Sequence, residues 1–243
     1  MAPPRRRDPY PPAPLPQGEE KTARVRSMFD AIAPRYDLLN RLMTFGLDQS
    51  WRKTTVGALA LPPGSFVLDL ACGTGDLTRL AGRAGYRVVG TDLSHGMLAA
   101  NRSGVPLVQA DSSQLPFPDG VFDGLVCGYA LRNFSDLAGA LGEAARVIRP
   151  GGRLAILEVD APTSPVLRAG YHLWFDRAVP VLGGLLSDRE AYHYLPRSVV
   201  YLPAAAVLRR MLGEAGYSGV GVRPLAGGLS QLIIATRAGT PRA

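Results

Sequence analysis

The large hydrophobic residues near the start of the chain follow a helical spacing. Between Lys21 and Pro34 they lie three or four positions apart, which predicts an amphipathic helix that Pro34 ends. The segment RYDLLNRLM predicts a second helix, and a third is expected to begin with Asp48 as its N-cap and to run to Leu59. A helical region over residues 21–62 therefore precedes the first predicted strand.

Short apolar runs then alternate with helical segments. The runs that predict strands are FVLDLA (66–71), YRVVGTD (86–92), PLVQAD (106–111), FDGLVCGY (122–129) and RLAILEV (153–159), followed by the extended segments GVGVRPLA and QLIIATRA. The sequence RPGG before the fifth run predicts a turn. Strands that alternate with helices indicate an α/β fold, in which a parallel sheet is covered on both faces.

The composition limits the classes of function. The 243 residues suffice for one large domain, and 47% of them are hydrophobic. The net charge is +7, but the basic residues are scattered along the chain, so nucleic-acid binding is not predicted. Residues 1–20, rich in proline, predict a disordered tail before a single domain over residues 21–243. With no secretory signal and no membrane-spanning run, we expect a cytoplasmic protein.

The cysteines and histidines do not predict a metal site. Cys72 and Cys127 match no zinc spacing and are too few for a disulfide framework, so we expect two reduced core residues. His95, His172 and His193 are scattered, and each is expected to be structural rather than a general base.

Polar residues and glycines follow three successive predicted strands, where ligands of open α/β sheets bind. These residues are Gly73, Thr74, Gly75, Asp92, Asp111 and Ser112. The glycines allow a ligand to approach the backbone closely. A carboxylate after the second strand can accept from both hydroxyls of a ribose, and the pair after the third strand can bind the edge of an adenine. The pattern predicts a site for a nucleotide-type cofactor.

The glycine loop favours S-adenosylmethionine over a dinucleotide. A dinucleotide fingerprint requires a third glycine, and Thr78 stands at that position. Asp76 follows the loop directly, and a carboxylate there would repel a pyrophosphate but not a ligand with a sulfonium and an ammonium group.

Several motifs resemble those of a known family. VLDLACGTGD resembles motif I of class I S-adenosylmethionine-dependent methyltransferases. MFDAIAPRYDLLNRLMTFGLDQSWR, LPFPDGVFDGLVCGYALRNFSD and YHYLPRSVVYLP resemble the menaquinone/ubiquinone biosynthesis C-methyltransferases, over about Val25 to Arg237. The resemblance implies a Rossmann-like, mostly parallel seven-stranded sheet with helices on both faces, an N-terminal helical lid and a helical insertion after strand 5. It also implies methylation of a ring carbon of a prenylated quinol such as demethylmenaquinol.

The resemblance also implies particular cofactor contacts. Carried over by position, they fall on Thr74, Asp92, Asp111, Ser112 and Gly128. We add Asp69, Gly73 and Gly75 of motif I to the predicted cofactor-binding residues. The chain departs from the family pattern at LAGG, where Ala226 replaces a threonine, and this change concerns the substrate rather than the reaction.

The stretch CGYALRNFSD places a guanidinium and an amide at the end of a core strand. We predict that Arg132 and Asn133 hold a quinol phenolate, which makes the ring carbon beside its oxygen more nucleophilic, and that Tyr36 closes the pocket. The alternative for Arg132 and Asn133 is that they cap the next helix, a role for which Asp136 is also suited. The alternative for Tyr36 is packing within the lid.

The segment over residues 160–200 is expected to form a helical lid insertion. Arg168, His172 and Asp176 form a polar stripe on an otherwise apolar helix. This helix would shield a prenyl tail or lie on the inner face of the membrane, or else pack in the core or form a homodimer.

The leading hypothesis is a quinol C-methyltransferase whose partner is a prenylated quinol and whose cofactor is S-adenosylmethionine. A second hypothesis keeps the cofactor but makes the acceptor a soluble phenolic or quinone metabolite. A third is a non-catalytic, cofactor-binding partner of the quinone pathway.

Overall fold

A seven-stranded sheet forms the centre of the protein in a computed structural model, which describes residues 17–160, 162, 164 and 198–239. The strands are β1 (Phe66–Leu70), β2 (Arg87–Asp92), β3 (Leu107–Gln109), β4 (Phe122–Gly128), β5 (Ile148–Val159), β6 (Tyr217–Leu225) and β7 (Ser230–Arg237). Their order across the sheet is β3-β2-β1-β4-β5-β7-β6. The first five are mutually parallel, whereas β7 runs antiparallel to both neighbours. The predicted mostly parallel, seven-stranded fold is confirmed.

Helices precede the sheet and connect its strands. They are α1 (Gly18–Ile32), α2 (Tyr36–Met43), α3 (Leu47–Gly57), α4 (Asp76–Arg83), α5 (His95–Ala100), α6 (Leu137–Val147) and α7 (Ala205–Glu214). Short 3-10 turns lie at Ala33–Arg35, Leu131–Asn133, Ser198–Tyr201 and Ala226–Gly228. We call α1 to α3 the N-terminal lid.

Both faces of the sheet are covered because neighbouring residues of each buried strand point to opposite sides. Leu68 of β1 packs in a large apolar cluster with residues of α6 and α7. Its neighbour Val67 packs on the other face with residues of α3 and α4. Both side chains are fully buried. Near-continuous apolar runs are typical of strands buried on both faces, which is why these strands could be predicted.

Two helix starts differ from the prediction. The first helix begins at Gly18, not after a tail that ends at residue 20. The third has Gly46 at its N-cap position, with a left-handed φ of 75°, a conformation that favours glycine. Asp48 is therefore not a cap. It is completely buried within α3, where its carboxylate accepts from Nε of Arg52, one helical turn later, at 3.3 Å.

The predicted turn RPGG belongs to a strand. β5 begins at Ile148, which pairs with Phe122, and the register then shifts before Arg153 pairs with Gly124. A Cβ atom on Gly152 would lie 2.8 Å from the carbonyl oxygen of Asp123. Glycine therefore allows the irregular start of β5 to run close to the backbone of β4.

Two sequence-based expectations fall largely outside the described residues. They are the disordered tail, apart from residues 17–20, and the helical insertion over 160–200, with Arg168, His172, Asp176 and His193. Among the helices that the structure does describe, none has the length and apolar character needed to cross a bilayer.

Candidate active site

A cavity of about 340 Å³ lies at the carboxyl ends of the central strands and is covered by the N-terminal lid. Its position agrees with the rule that ligands of α/β sheets bind beyond these ends. All the predicted cofactor-binding residues except Gly75 line it, namely Asp69, Gly73, Thr74, Asp92, Asp111, Ser112 and Gly128. The topology thus brings three successive strand ends to one site.

The two glycines of the loop after β1 have different roles. Gly73 lines the cavity, and its φ of 52° is left-handed. Gly75 does not line it. Gly75 occupies the N-cap position of α4 with a φ of 89°, and a Cβ atom there would lie 2.5 Å from Oδ1 of Asn101. Gly75 therefore shapes the loop and the start of α4, and its predicted contact with the cofactor has no support in this geometry.

Thr74 connects the glycine loop to the lid. Its hydroxyl donates a hydrogen bond of 2.5 Å to Oδ1 of Asp37 in α2. Asp37 lies in the segment RYDLLNRLM, whose pattern predicted a helix but gave this side chain no role in the site. A residue of the predicted cofactor loop is thus held by a side chain of the lid.

Asp92 is fixed by the backbone at the end of β2. Its two oxygens accept from the N–H groups of Gly73 at 2.8 Å and Ser94 at 2.9 Å. Burial raises the pKa of Asp92, although these hydrogen bonds oppose the shift. Each carboxylate oxygen can accept more than one hydrogen bond, so the group remains able to bind hydroxyls in the cavity.

Asp69 is a buried carboxylate with an unused acceptor. Its Oδ2 accepts from the Thr78 hydroxyl at 2.5 Å, whereas Oδ1 has no hydrogen-bond partner. Burial raises the pKa of Asp69 to about 7. A buried oxygen without a partner is costly, so a ligand that donates to Oδ1 would be favoured. Thr78, which replaces the third glycine of a dinucleotide site, supports this carboxylate.

Asp76 lines the cavity, but side chains of the chain itself hold its carboxylate. Its carboxylate is paired with the Arg79 guanidinium, accepts from Nε2 of Gln49 at 3.2 Å and lies 3.7 Å from Nε of Arg52. The charge that was expected to face a cationic ligand is compensated by arginines of the chain itself. Asp69, whose Oδ1 has no hydrogen-bond partner, lines the cavity as well.

Asp111 begins a tight turn after β3. Its Oδ1 accepts from both the N–H and the hydroxyl of Ser113, at 2.8 and 2.7 Å. The second oxygen and the neighbouring Ser112 remain at the wall of the cavity. This arrangement agrees with the predicted contact of Asp111 and Ser112 with an adenine edge.

Arg132 does not face the cavity. It is buried and ion-paired with Glu158, and its guanidinium also donates to the carbonyl oxygen of Tyr129 at 2.8 Å and to the Ser198 hydroxyl at 3.1 Å. Burial by itself would lower the pKa of Arg132, but Glu158 raises it overall. Side chains and backbone of the described chain thus engage this guanidinium, and its predicted contact with a quinol stays a prediction. The glutamate inside the apolar run RLAILEV was the available signal, because a buried charge needs a partner.

Asn133 lines the cavity beside the cofactor residues. Its Nδ2 donates to the carbonyl oxygen of Tyr129 at 3.3 Å, while its buried Oδ1 has no partner. The capping alternative does not apply, because Asp136 caps α6 by accepting from the N–H of Gly139. The amide oxygen of Asn133 is therefore available to a ligand.

The lid closes the cavity from the opposite side. Tyr36 lines the wall and packs edge to face against Phe29, with ring centroids 5.8 Å apart. Arg52 of α3 and Tyr129 after β4 also line it, and no sequence motif predicted a place in the site for either residue. Both come from elements that the tertiary fold brings to the site.

The described residues fit S-adenosylmethionine. The unpaired Oδ1 of Asp69 suits an ammonium group, and Asp92 suits a ribose. At Gly128 a Cβ atom would lie 2.7 Å from Cδ1 of Leu77, so glycine there makes room for Leu77, which also lines the cavity. In the described ranges no three His, Cys, Asp or Glu side chains gather in a way that could hold a metal ion.

Comparisons with known proteins show the family of this chain. The model of the ubiE/COQ5 methyltransferase family matches residues 17–239. The demethylmenaquinone methyltransferase of Corynebacterium kroppenstedtii is 43% identical, over 90% of this chain and 96% of that protein. The demethylmenaquinone methyltransferase of Thermus thermophilus is 46% identical, over 79% of this chain and 91% of that protein. The ubiquinone/menaquinone biosynthesis C-methyltransferase UbiE of a Geobacter species is 38% identical, over 90% of this chain and 98% of that protein.

Solved structures support the fold alone. The [4+2]-cyclase SpnF has a TM-score of 0.66 at 17% identity, over 93% of this chain and 99% of that one. Phosphoethanolamine N-methyltransferase 2 of Haemonchus contortus, in complex with S-adenosyl-L-methionine, has a TM-score of 0.55 at 15% identity, over 76% and 53%. One fold thus serves different reactions, so the assignment of this chain to a family of enzymes rests on the family match and on the site. The chain belongs to the ubiE/COQ5 methyltransferase family of S-adenosylmethionine-dependent enzymes, as its motifs predicted.

Proposed function

We propose that this protein methylates a ring carbon of a prenylated quinol and thereby converts demethylmenaquinol to menaquinol. The observation that carries the proposal is the unpaired, buried Oδ1 of Asn133 in the same cavity as the cofactor-binding residues. An amide oxygen there can accept from a quinol hydroxyl and orient the ring. The names of the relatives support the same acceptor.

Bound S-adenosylmethionine supplies an electrophilic methyl group. The residues of the chain hold the two reactants in line. Asp92 and Asp111 fix the nucleoside end, and Asp69 accepts from the ammonium group. Because the lid covers the cavity, water is kept from the reacting atoms.

The acceptor is held from both walls of the cavity. Asn133 accepts from a quinol hydroxyl, while Tyr36 in the lid confines the ring from the opposite side. Loss of the proton of the other hydroxyl to solvent makes the ring carbon beside that oxygen more nucleophilic, and a fixed orientation brings this carbon to the methyl group. The new carbon–carbon bond forms as the carbon–sulfur bond to the methyl group breaks. The ring carbon then gives up its proton while the oxygen takes one back, so aromaticity is restored and one proton is released overall.

We propose a positioning role for Arg132. Its Nη1 and the Asn133 amide both donate to the carbonyl oxygen of Tyr129. The Arg132–Glu158 ion pair therefore fixes the turn that presents Asn133. Arg132→Lys is expected to keep most of the stability but to raise the KM for the quinol, whereas a purely structural role would leave KM unchanged.

We also propose that the lid contacts an anionic bilayer, from which a prenylated quinol would enter. Large apolar side chains are exposed along α2, in the turn after it and at the start of α3, namely Leu38, Leu42, Phe45 and Leu47. Phe45 is 71% exposed. The exposed basic side chains of Arg41 and Lys53 lie on the same helices as this patch, which suits anionic lipid headgroups. Tyr36, which lines the cavity, begins the same helix.

Vesicle sedimentation tests the membrane proposal. Wild type should sediment with phosphatidylglycerol-containing vesicles, Phe45→Asp should not, and Val121→Asp, an exposed apolar position before β4, should behave like wild type. Equal binding of all three would refute the proposal. If the protein dimerises without vesicles and Phe45→Asp abolishes the dimer, the patch binds a second copy of the chain instead.

The activity test follows a labelled methyl group from S-adenosylmethionine to chemically reduced demethylmenaquinone with a short prenyl tail. Mass spectrometry should locate the label on the ring carbon, and Asn133→Leu should lower kcat/KM by about a hundredfold. Transfer to tail-less phenols alone would indicate a soluble acceptor. Cofactor binding without transfer to any quinol would indicate a non-catalytic partner.

A further inference from the structure

Arg52 is a buried cation in the wall of the cavity. The other arginine among the described lining residues, Arg26, is exposed. Arg52 retains only 5% of its accessible surface. A buried guanidinium is unfavourable unless its charge and its donors are satisfied, so the partners of Arg52 indicate what the site binds.

Only one side of the Arg52 guanidinium is engaged by the described residues. Nε donates to Asp48 at 3.3 Å and lies 3.7 Å from Asp76. The two Nη atoms have no hydrogen bond among these residues. Nη1 lies 3.8 Å from the position that a Cβ atom of Gly128 would occupy, and the guanidinium carbon lies 5.4 Å from the centroid of the Tyr129 ring. The open side therefore points to the end of β4, at the cavity.

Arg52 and Arg79 share their acidic partners. Asp48 and Asp76 balance the charges of the two arginines, so this group of four has no net charge, and both carboxylates lie on the Nε side of Arg52. Burial would lower the pKa of Arg52, but Asp76 and the other acidic neighbours raise it overall, so the side chain stays charged. The open Nη atoms therefore suit an anionic acceptor, and a carboxylate accepts two parallel hydrogen bonds from a guanidinium.

An acidic residue lines the same cavity as Arg52. Asp69 is a lining residue, and the guanidinium lowers the pKa of its carboxyl against the larger effect of burial. The unpaired Oδ1 of Asp69 and the open Nη atoms of Arg52 thus offer the cavity an acidic and a basic group. An α-amino acid carries an ammonium and a carboxylate on one carbon, and it complements such a pair.

We propose that Arg52 binds the carboxylate of the methionine moiety of S-adenosylmethionine through its Nη atoms. The inference rests on the cofactor and does not depend on the quinol acceptor. Arg52 would orient the amino-acid end of the cofactor, whereas Asp92 and Asp111 bind the nucleoside end.

Calorimetric titration with two ligands tests this assignment without turnover. S-adenosylhomocysteine has both charged groups, and S-adenosyl-3-thiopropylamine is the same thioether without the carboxylate. Arg52→Gln should weaken binding of the first ligand by about tenfold to a hundredfold and leave binding of the second within about threefold. Arg79→Gln is the matched control, because Arg79 also pairs with Asp76 but does not line the cavity, and it should not distinguish the ligands.

Two results would overturn the proposal. One is an equal loss of affinity for both ligands in Arg52→Gln. The other is wild-type protein that binds both ligands equally well, a measurement that stands even if Arg52→Gln does not fold. Unchanged binding of S-adenosylhomocysteine with a weaker affinity for a quinol analogue would assign Arg52 to the acceptor instead.

Discussion

The two walls of the cavity are built in different ways. In the sheet wall, backbone N–H groups of adjoining loops hold Asp92 at the end of a buried strand. The lid wall is attached mainly through side chains, such as Asp37 to Thr74 and Asp30 of α1 to the Ser94 hydroxyl at 2.6 Å. A few side-chain hydrogen bonds can break without unfolding the sheet. We therefore expect ligands to enter when α1 and α2 detach, while the sheet wall and α3, whose Val56 packs in the core, stay fixed.

The largest effect is expected in the sheet wall, from Arg132→Ala. This change leaves Glu158 buried and unpaired, which should lower the free energy of unfolding by about 3–5 kcal/mol in chemical denaturation. The double variant Arg132→Met/Glu158→Leu removes both charges and should recover most of this loss. If Arg132→Ala is as stable as wild type, the ion pair does not support the site.

A smaller effect is expected from Asp37→Ala in the lid. Loss of the hydrogen bond to Thr74 should weaken S-adenosylhomocysteine binding by about fivefold and lower the free energy of unfolding by about 1 kcal/mol or less. Calorimetric titration measures the affinity, and chemical denaturation measures the free energy of unfolding. Asp119→Ala, an exposed carboxylate paired with Arg146 away from the cavity, is the control and should leave affinity unchanged.

The pH dependence of the sheet wall should follow Asp69. Its pKa is about 7 in the folded chain against an ordinary value of 3.8, so between these values the folded state keeps a proton that the unfolded chain has lost. The stability from this group is complete below about pH 4 and is lost as the pH rises through 7. Binding of an ammonium ligand favours the ionised form, so affinity for S-adenosylhomocysteine should rise between pH 6 and pH 8. Asp69→Asn should remove both trends, and unchanged trends would contradict the assignment.

The smallest effect is expected from Lys21→Ala in the lid. The Lys21 ammonium donates to the carbonyl oxygen of Phe134 at 2.7 Å and lies 3.9 Å from the centroid of the Tyr201 ring. Burial lowers its pKa to about 8, so the contact is partly offset by desolvation. We expect amide exchange in α1 to become about fivefold faster, with strand exchange unchanged. Glu20→Ala in the exposed first turn is the control.

Much of the fold and of the sheet wall could be predicted because the signals are local. Buried strands appear as apolar runs, and the carboxyl ends of parallel strands meet at one edge of a sheet. Asp69, Asp92 and Asp111 could therefore be assigned to one site before their coordinates were known. Asp48 could not be assigned, because a carboxylate near a helix start looks the same whether it caps the helix or pairs with a buried arginine.

The sequence by itself determined the order of strands and helices, the family and the cofactor class, since these follow from apolar periodicity and from motifs at strand ends. Only the tertiary structure decided which polar side chains face the ligand. Arg132 and Asn133 are neighbours, yet one is paired with Glu158 behind the wall and the other keeps a free oxygen in the cavity. The physical reason is that a buried charge lies where its partner is, and the partner came from a strand 26 residues later in the chain.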